Sequence, residues 1–234
     1  MTGTLINVGT VLLGSLAGTL LGNRLPDRMR LTVMDGLGLA TVVIGAKMAL
    51  ATSNILIVLG SLILGGMFGE FLDIDSAVNN LGKWVETRAL GKNPNSSGSN
   101  GKFARGFVSA SLLFCVGPMA IMGSIQDGLT GDFSTLAVKA TLDGFAALAF
   151  ASSLGPGVGF SALSVLVYQG LITLGAGFFQ GVLTEPMVNE LTATGGLLIL
   201  AIGLGLLELK KVRVANLLPA IFLAPFIYYI ASLF

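Results

Sequence analysis

Hydrophobic positions along this chain fall in runs far longer than one face of an amphipathic helix needs, and polar positions are confined to short separators between them. A helix that crosses lipid needs about 20 mostly apolar residues. Eight stretches meet that requirement, at roughly 3–22, 31–51, 54–71, 106–125, 134–153, 157–179, 187–207 and 213–233. The last three are less cleanly bounded, so the pattern predicts an all-α, polytopic membrane protein of seven or eight transmembrane helices. These form a single membrane domain over residues 1–234. The first run has no basic segment ahead of it and is long enough to stay as a span rather than act as a cleaved signal.

Composition agrees, since 53% hydrophobic and 11% charged residues in 234 cannot supply the surface of a water-soluble globule. Charge adds an orientation. Of thirteen Lys and Arg residues, eleven lie in three segments: Arg24, Arg28 and Arg30; Lys83, Arg88, Lys92, Lys102 and Arg105; Lys210, Lys211 and Arg213. Basic connections stay in the cytoplasm. With eight spans, connections 1–2, 3–4 and 7–8 are then inside and both termini outside, and the outer connections carry Asp127, Asp132, Glu185 and Glu190.

The longest connection reads as two parts. Residues 73–90 set Ile74, Ala77, Val78, Leu81, Trp84 and Val85 at helical spacing opposite polar positions, which predicts either an interfacial amphipathic helix or a cytoplasmic extension of the third span. Residues 91–105, rich in Asn, Ser and Gly, read as a flexible cytoplasmic linker. Thirty-three glycines, most of them inside spans, predict helices packed backbone to backbone. Gly117-Pro118 in the fourth span is different, because this pair breaks the hydrogen-bond ladder within the membrane. A shift of 108 residues also superimposes Asp35-Gly36 on Asp143-Gly144 and Val8-Gly9 on Val116-Gly117, which suggests a 3+3 inverted repeat followed by C-terminal helices.

The absence of His and the single Cys115 exclude internal disulfides, His/Cys metal sites of ordinary composition and imidazole catalysis, so no cofactor is expected. Cys115 itself reads as a small apolar residue of a helix. A net charge of +1 offers nothing to nucleic acid. Ionisable groups inside a span cost about 2.5–3.5 kcal/mol each on insertion scales and are candidates for function. Lys139 and Asp143, one turn apart in the fifth span, read either as a self-neutralising pair or as the lining of a pathway. Asp35 in the second span, Asn7 in the first, Gln169 in the sixth and Gln126 with Asp127 at the outer end of the broken fourth complete the set with Pro118. Lys47, near the outer end of the second span, reads as snorkelling to the surface.

From Gly117 to Asp132 the run GPMAIMGSIQDGLTGD resembles the bacterial integral-membrane family catalogued as domain of unknown function 554. The resemblance continues through Lys139, Leu142-Asp143-Gly144 and Tyr168-Gln169-Gly170, and Gly3-Thr4-Leu5-Ile6-Asn7 resembles the family's opening. It implies a multi-pass protein of the bacterial inner membrane, a transporter candidate with no assigned substrate.

Together these readings lead to the expectation of a carrier or channel for a small ion or small charged solute, embedded in a lipid bilayer and homo-oligomeric through its small-residue faces. A non-transporting scaffold is the alternative. An intramembrane enzyme is not expected, because Gly128-Leu129-Thr130-Gly131-Asp132 is one residue off the membrane aspartyl protease motif and no serine has a histidine partner.

Overall fold

The computed structural model describes residues 1–22, 26–80 and 102–233. Every element among them is helical: α1 (Thr2–Gly22), α2 (Asp27–Ala49), α3 (Ile55–Phe71), α4 (Ile74–Asn80), α5 (Lys102–Cys115), α6 (Pro118–Thr130), α7 (Ser134–Leu154), α8 (Gly157–Leu174), α9 (Ala176–Val182), α10 (Glu185–Leu206), a 3-10 turn (Val214–Leu217) and α11 (Leu218–Ala231). Six helices are long and apolar enough to cross a membrane. Two bent pairs, α3 with α4 at 57° and α5 with α6 at 61°, raise the number to as many as eight. Large side chains such as Leu13, Phe145, Leu163 and Phe222 point outwards from the bundle, as lipid-facing positions should.

Glycines set the helix pairing, because their missing side chains let one backbone lie on another. A Cβ on Gly14, Gly18 or Gly22 would sit only 2.2, 2.2 or 2.1 Å from the carbonyl oxygens of Gly144, Leu148 or Ser152, so α1 and α7 run parallel in near contact. Gly45 and Gly196 hold α2 antiparallel to α10, and Gly65 and Gly69 hold α3 antiparallel to α11 against Ala220 and Asn216. Gly157 against the Phe103 carbonyl starts a parallel pairing of α5 with α8, which Ser111 and Ser164 continue at 2.9 Å. Contacts of Thr4 with Thr173 and of Ser15 with Gly159 make α8 antiparallel to α1.

These directions bring one end of α1, α7, α10 and the chain's two termini together, with the turns after α2, α6 and α8. The other end gathers Arg28, Lys102, Arg105, Lys210, Lys211 and Arg213, while Lys47 and Lys139 lie away from it. We call them the N-terminal end and the basic end. Six to eight candidate spans and a shared end for most of the described basic residues agree with the sequence pattern as far as the described residues reach.

Details differ from the sequence reading at several points. The fourth pass begins at Lys102 rather than 106, so residues 102–105 of the expected linker form the first turn of α5. Positions 91–101, and Trp84 of the expected interfacial helix, lie outside the described residues. Its opening is present as α4, turned away from α3 through Asp73, whose φ of 49° is one that Asp tolerates better than most side chains. The sixth stretch stops as α8 and resumes as the short α9, and the eighth begins with a 3-10 turn. Glu190, read as an outer-connection acid, is wholly buried in α10. It accepts hydrogen bonds from the Thr52 hydroxyl (2.6 Å), the Ser53 amide (3.0 Å) and the Ser53 hydroxyl (3.1 Å), and so fastens the α2–α3 turn to α10.

Gly18→Ala should cost roughly 1–3 kcal/mol by forcing α1 off α7, whereas Gly9→Ala, with nothing within 4 Å of the new methyl, should stay within about 0.5 kcal/mol. Thermal melting in detergent separates the two; equal shifts would contradict the packing.

Candidate functional site

Parallel packing of α1 on α7, with α8 crossing α1 in the opposite sense, brings four sequence-selected polar residues to one buried place. The Asn7 side-chain amide donates to Asp143 Oδ2 at 2.9 Å and to Gln169 Oε1 at 3.4 Å. Lys139 Nζ donates to the same Asp143 oxygen in a short ion pair across one helical turn. All four are buried, Asn7 and Gln169 completely. Toward the N-terminal end, Thr4 and Thr173 pair at 3.4 Å. Beyond them Asp127 Oδ2 meets the Gly3 amide at 3.1 Å and the Met1 ammonium at 3.0 Å, where a carboxylate complements the positive end of α1.

The chemistry of this cluster fixes its amide orientations. Turning Asn7 over would set its oxygen against the Asp143 carboxylate, and turning Gln169 over would set one amide NH2 against another. In the remaining arrangement Asn7 Oδ1 and Gln169 Nε2 have no hydrogen-bond partner among the described residues, and neither does the buried Ser124 hydroxyl of α6. A buried polar atom left unpaired costs about 1–3 kcal/mol. One free acceptor and one free donor beside an ion pair are what a small polar guest or a water would satisfy.

Pro118 begins α6 just where α5 ends. Gly117 takes φ 147°, a torsion that a residue with a side chain rarely adopts, and no side chain caps the new helix. The negative end of α5 and the positive end of α6 therefore meet inside the membrane. Asp143 is nine residues into α7 and Pro118 twelve residues back from the end of α6, about 13 and 18 Å along their helices. The break and the ion pair thus straddle the middle of a hydrocarbon layer about 30 Å thick.

Other candidates lie elsewhere. Gln126 donates to Asp132 at 2.7 Å and accepts from Thr135 at 3.0 Å, which closes the α6–α7 turn. The Ser134 backbone amide, its hydroxyl and Gln126 together hold the Asp132 carboxyl below the usual carboxylate range. Asp35 is exposed on the outside of α2, far toward the basic end, and joins no part of the cluster. Lys47 is exposed in the last turn of α2. Cys115 is a half-buried thiol packed against the core. No group of three or more Cys, Asp or Glu able to hold a metal occurs among the described residues. The residues that sequence reasoning missed are Thr4, Thr173, Ser124 and Glu190. Thr4 precedes Asn7 by three residues and Thr173 follows Gln169 by four, so each shares a helical face with a polar partner.

A family described as "Protein of unknown function (DUF554)" matches residues 2–229. The chain belongs to this family. The "Uncharacterized protein YqgA" of Escherichia coli (strain K12) is 33% identical over 222 residues, which cover 95% of this chain and 94% of that one. The "Uncharacterized membrane protein YdfK" of Bacillus subtilis (strain 168) is 29% identical over 238 residues, covering 100% and 98%. No solved structure matches. The name of the Bacillus subtilis relative, a membrane protein, agrees with the apolar helices found in this DUF554 protein.

Removing one half of the ion pair strands the other. Asp143→Ala should destabilise this DUF554 protein by about 3–5 kcal/mol, and the double change Lys139→Met with Asp143→Leu should recover most of that loss. Melting curves of the two variants in detergent decide it; a double variant no more stable than the single would show that the pair is not a unit.

Proposed function

We propose that this protein carries a small ion or small charged solute across the bacterial inner membrane, with its basic end in the cytoplasm, and that Asn7, Lys139, Asp143 and Gln169 form the solute site. The supporting observation is the unfilled donor and acceptor, Gln169 Nε2 and Asn7 Oδ1, next to a buried charge pair at membrane depth. Structural ion pairs are ordinarily finished with hydrogen bonds, and this one is left open on one side.

Lys139 acts in this reading as a resident counter-ion. A cation or proton reaching Asp143 displaces the ammonium, while an anion draws Lys139 away from Asp143, so loading the site and breaking the pair are one event. The closed packing around the cluster requires a second conformation for access. Gly117, a torsionally special residue without a side-chain cap, gives α5 and α6 a hinge at that depth. The 3+3 inverted repeat is not needed for this mechanism. Catalysis is not part of this reading, in which Gln126 engages Asp132 in the α6–α7 turn and Asn7 engages Asp143 in the buried cluster. Self-association is part of the same reading, because Asp35 and Gly36 face outwards on α2 and a neighbouring copy would remove the carboxylate from lipid.

Proteoliposomes loaded in turn with indicators for H+, Na+, K+ and Cl− test the proposal. At least one flux should exceed that of empty liposomes, and Asp143→Asn or Lys139→Met should cut it by about tenfold or more, on the scale of a lost charged contact, without aggregation of the protein. Fluxes no greater than the empty control, or indifferent to both changes, would contradict it.

A further inference from the structure

At the basic end of the bundle, far from the polar cluster, a cavity of about 360 Å³ opens between α4, the first turns of α5, the end of α10 and the turn that leads to Val214. Its polar lining comes from three elements: Asp75 and Asn79 of α4, Arg105 and Ser109 of α5, and Lys211 and Arg213 of the turn. The rest of the wall is aliphatic.

These charges are not equivalent. Arg213 is engaged by Glu70 at 2.6 Å, and the Asp75 carboxylate accepts from the Asn79 side chain at 3.1 Å. Arg105 and Lys211 have no acidic partner within ion-pair distance among the described residues. Ser109 lines the cavity and is only 3% exposed. Three cations against Asp75 and Glu70 leave a single net positive charge.

We infer that this cavity binds the phosphodiester of a membrane phospholipid. A guanidinium and an ammonium converging from two elements, with a buried hydroxyl between apolar walls, match a phosphate oxygen cluster attached to a hydrocarbon body. The charge balance selects the ester class. A phosphodiester carries one negative charge and neutralises the site, whereas a phosphate monoester or free phosphate carries about 1.5 to 2 and would be opposed by Asp75. Arg105 meets two phosphate oxygens with its planar fork, Lys211 supplies a point charge, and Ser109 donates its hydroxyl.

Native mass spectrometry of the full chain in detergent, titrated with phosphatidylglycerol, tests this. Arg105→Gln with Lys211→Gln should weaken lipid binding at least about tenfold, as expected for two lost charge-assisted contacts. The control pair Arg28→Gln with Lys210→Gln, equal in charge but outside the cavity, should change it less than about twofold. Lys211→Gln alone, on an exposed turn, should weaken binding about threefold if the double variant fails to fold. Inorganic phosphate in millimolar excess should not displace the lipid. Equal losses from both double variants would reduce the effect to general attraction by the basic face. Displacement by inorganic phosphate would make the site one for free phosphate, and a wild type that retains no phosphatidylglycerol would end the proposal.

Discussion

Backbone contact between α1 and α7 is the constraint on which the remaining structure depends. Without side chains at Gly14, Gly18 and Gly22, the first helix lies directly on the carbonyls of the fifth pass. That closeness lets the short amide of Asn7 reach Asp143. In lipid no hydrophobic force drives helices together, so van der Waals contact and a few interhelical hydrogen bonds carry the association. The same helix faces therefore supply both packing and polar chemistry. A bulkier face would hold α1 too far away to put its amide on the carboxylate.

Around that seam the molecule separates its charges by depth. The ion pair Lys139–Asp143 is cancelled internally, Asp127 is met by the start of α1, and Glu190 is finished by three donors from the α2–α3 turn. Glu190 and Asp143 are both carboxylates buried in spans, yet they differ in completeness. Glu190 fastens a turn and leaves nothing open, while the neighbours of Asp143 retain a free donor and a free acceptor. That contrast separates a structural buried acid from a candidate binding one more sharply than burial does. The basic end follows a third pattern, with cations and aliphatic side chains lining the same cavity.

Much of this was legible in the residues. Run length gave a helical membrane protein of the observed class, and the described members of the Lys and Arg clusters stand at one end of the bundle. The cost of burying polar and ionisable groups in lipid singled out Asn7, Lys139, Asp143 and Gln169, which the fold assembles. Gly117-Pro118 marked the helix break because its torsions and missing amide admit little else. What escaped was set by tertiary contact. Glu190 reads as a loop acid because it stands five residues after the start of α10, and only the approach of Thr52 and Ser53 reveals it as interior. Asp35 looked equivalent to Asp143, since each is followed by glycine in an apolar helix. Which side of a uniformly apolar helix faces lipid has no signature in its periodicity, and the structure turns Asp35 outwards. Gln126 reads as a site residue from its place at the outer end of the broken fourth span, but Asp132 and Thr135 take it up.

The central claim is that the Asn7–Asp143–Gln169 cluster is hydrated or occupied rather than sealed. A density map fine enough to resolve ordered water, taken from protein in a lipid nanodisc, tests it most directly. The claim predicts a peak that belongs to no protein atom within hydrogen-bonding distance of both Asn7 Oδ1 and Gln169 Nε2. Empty density there, with those two atoms turned to partners within the protein, would contradict it.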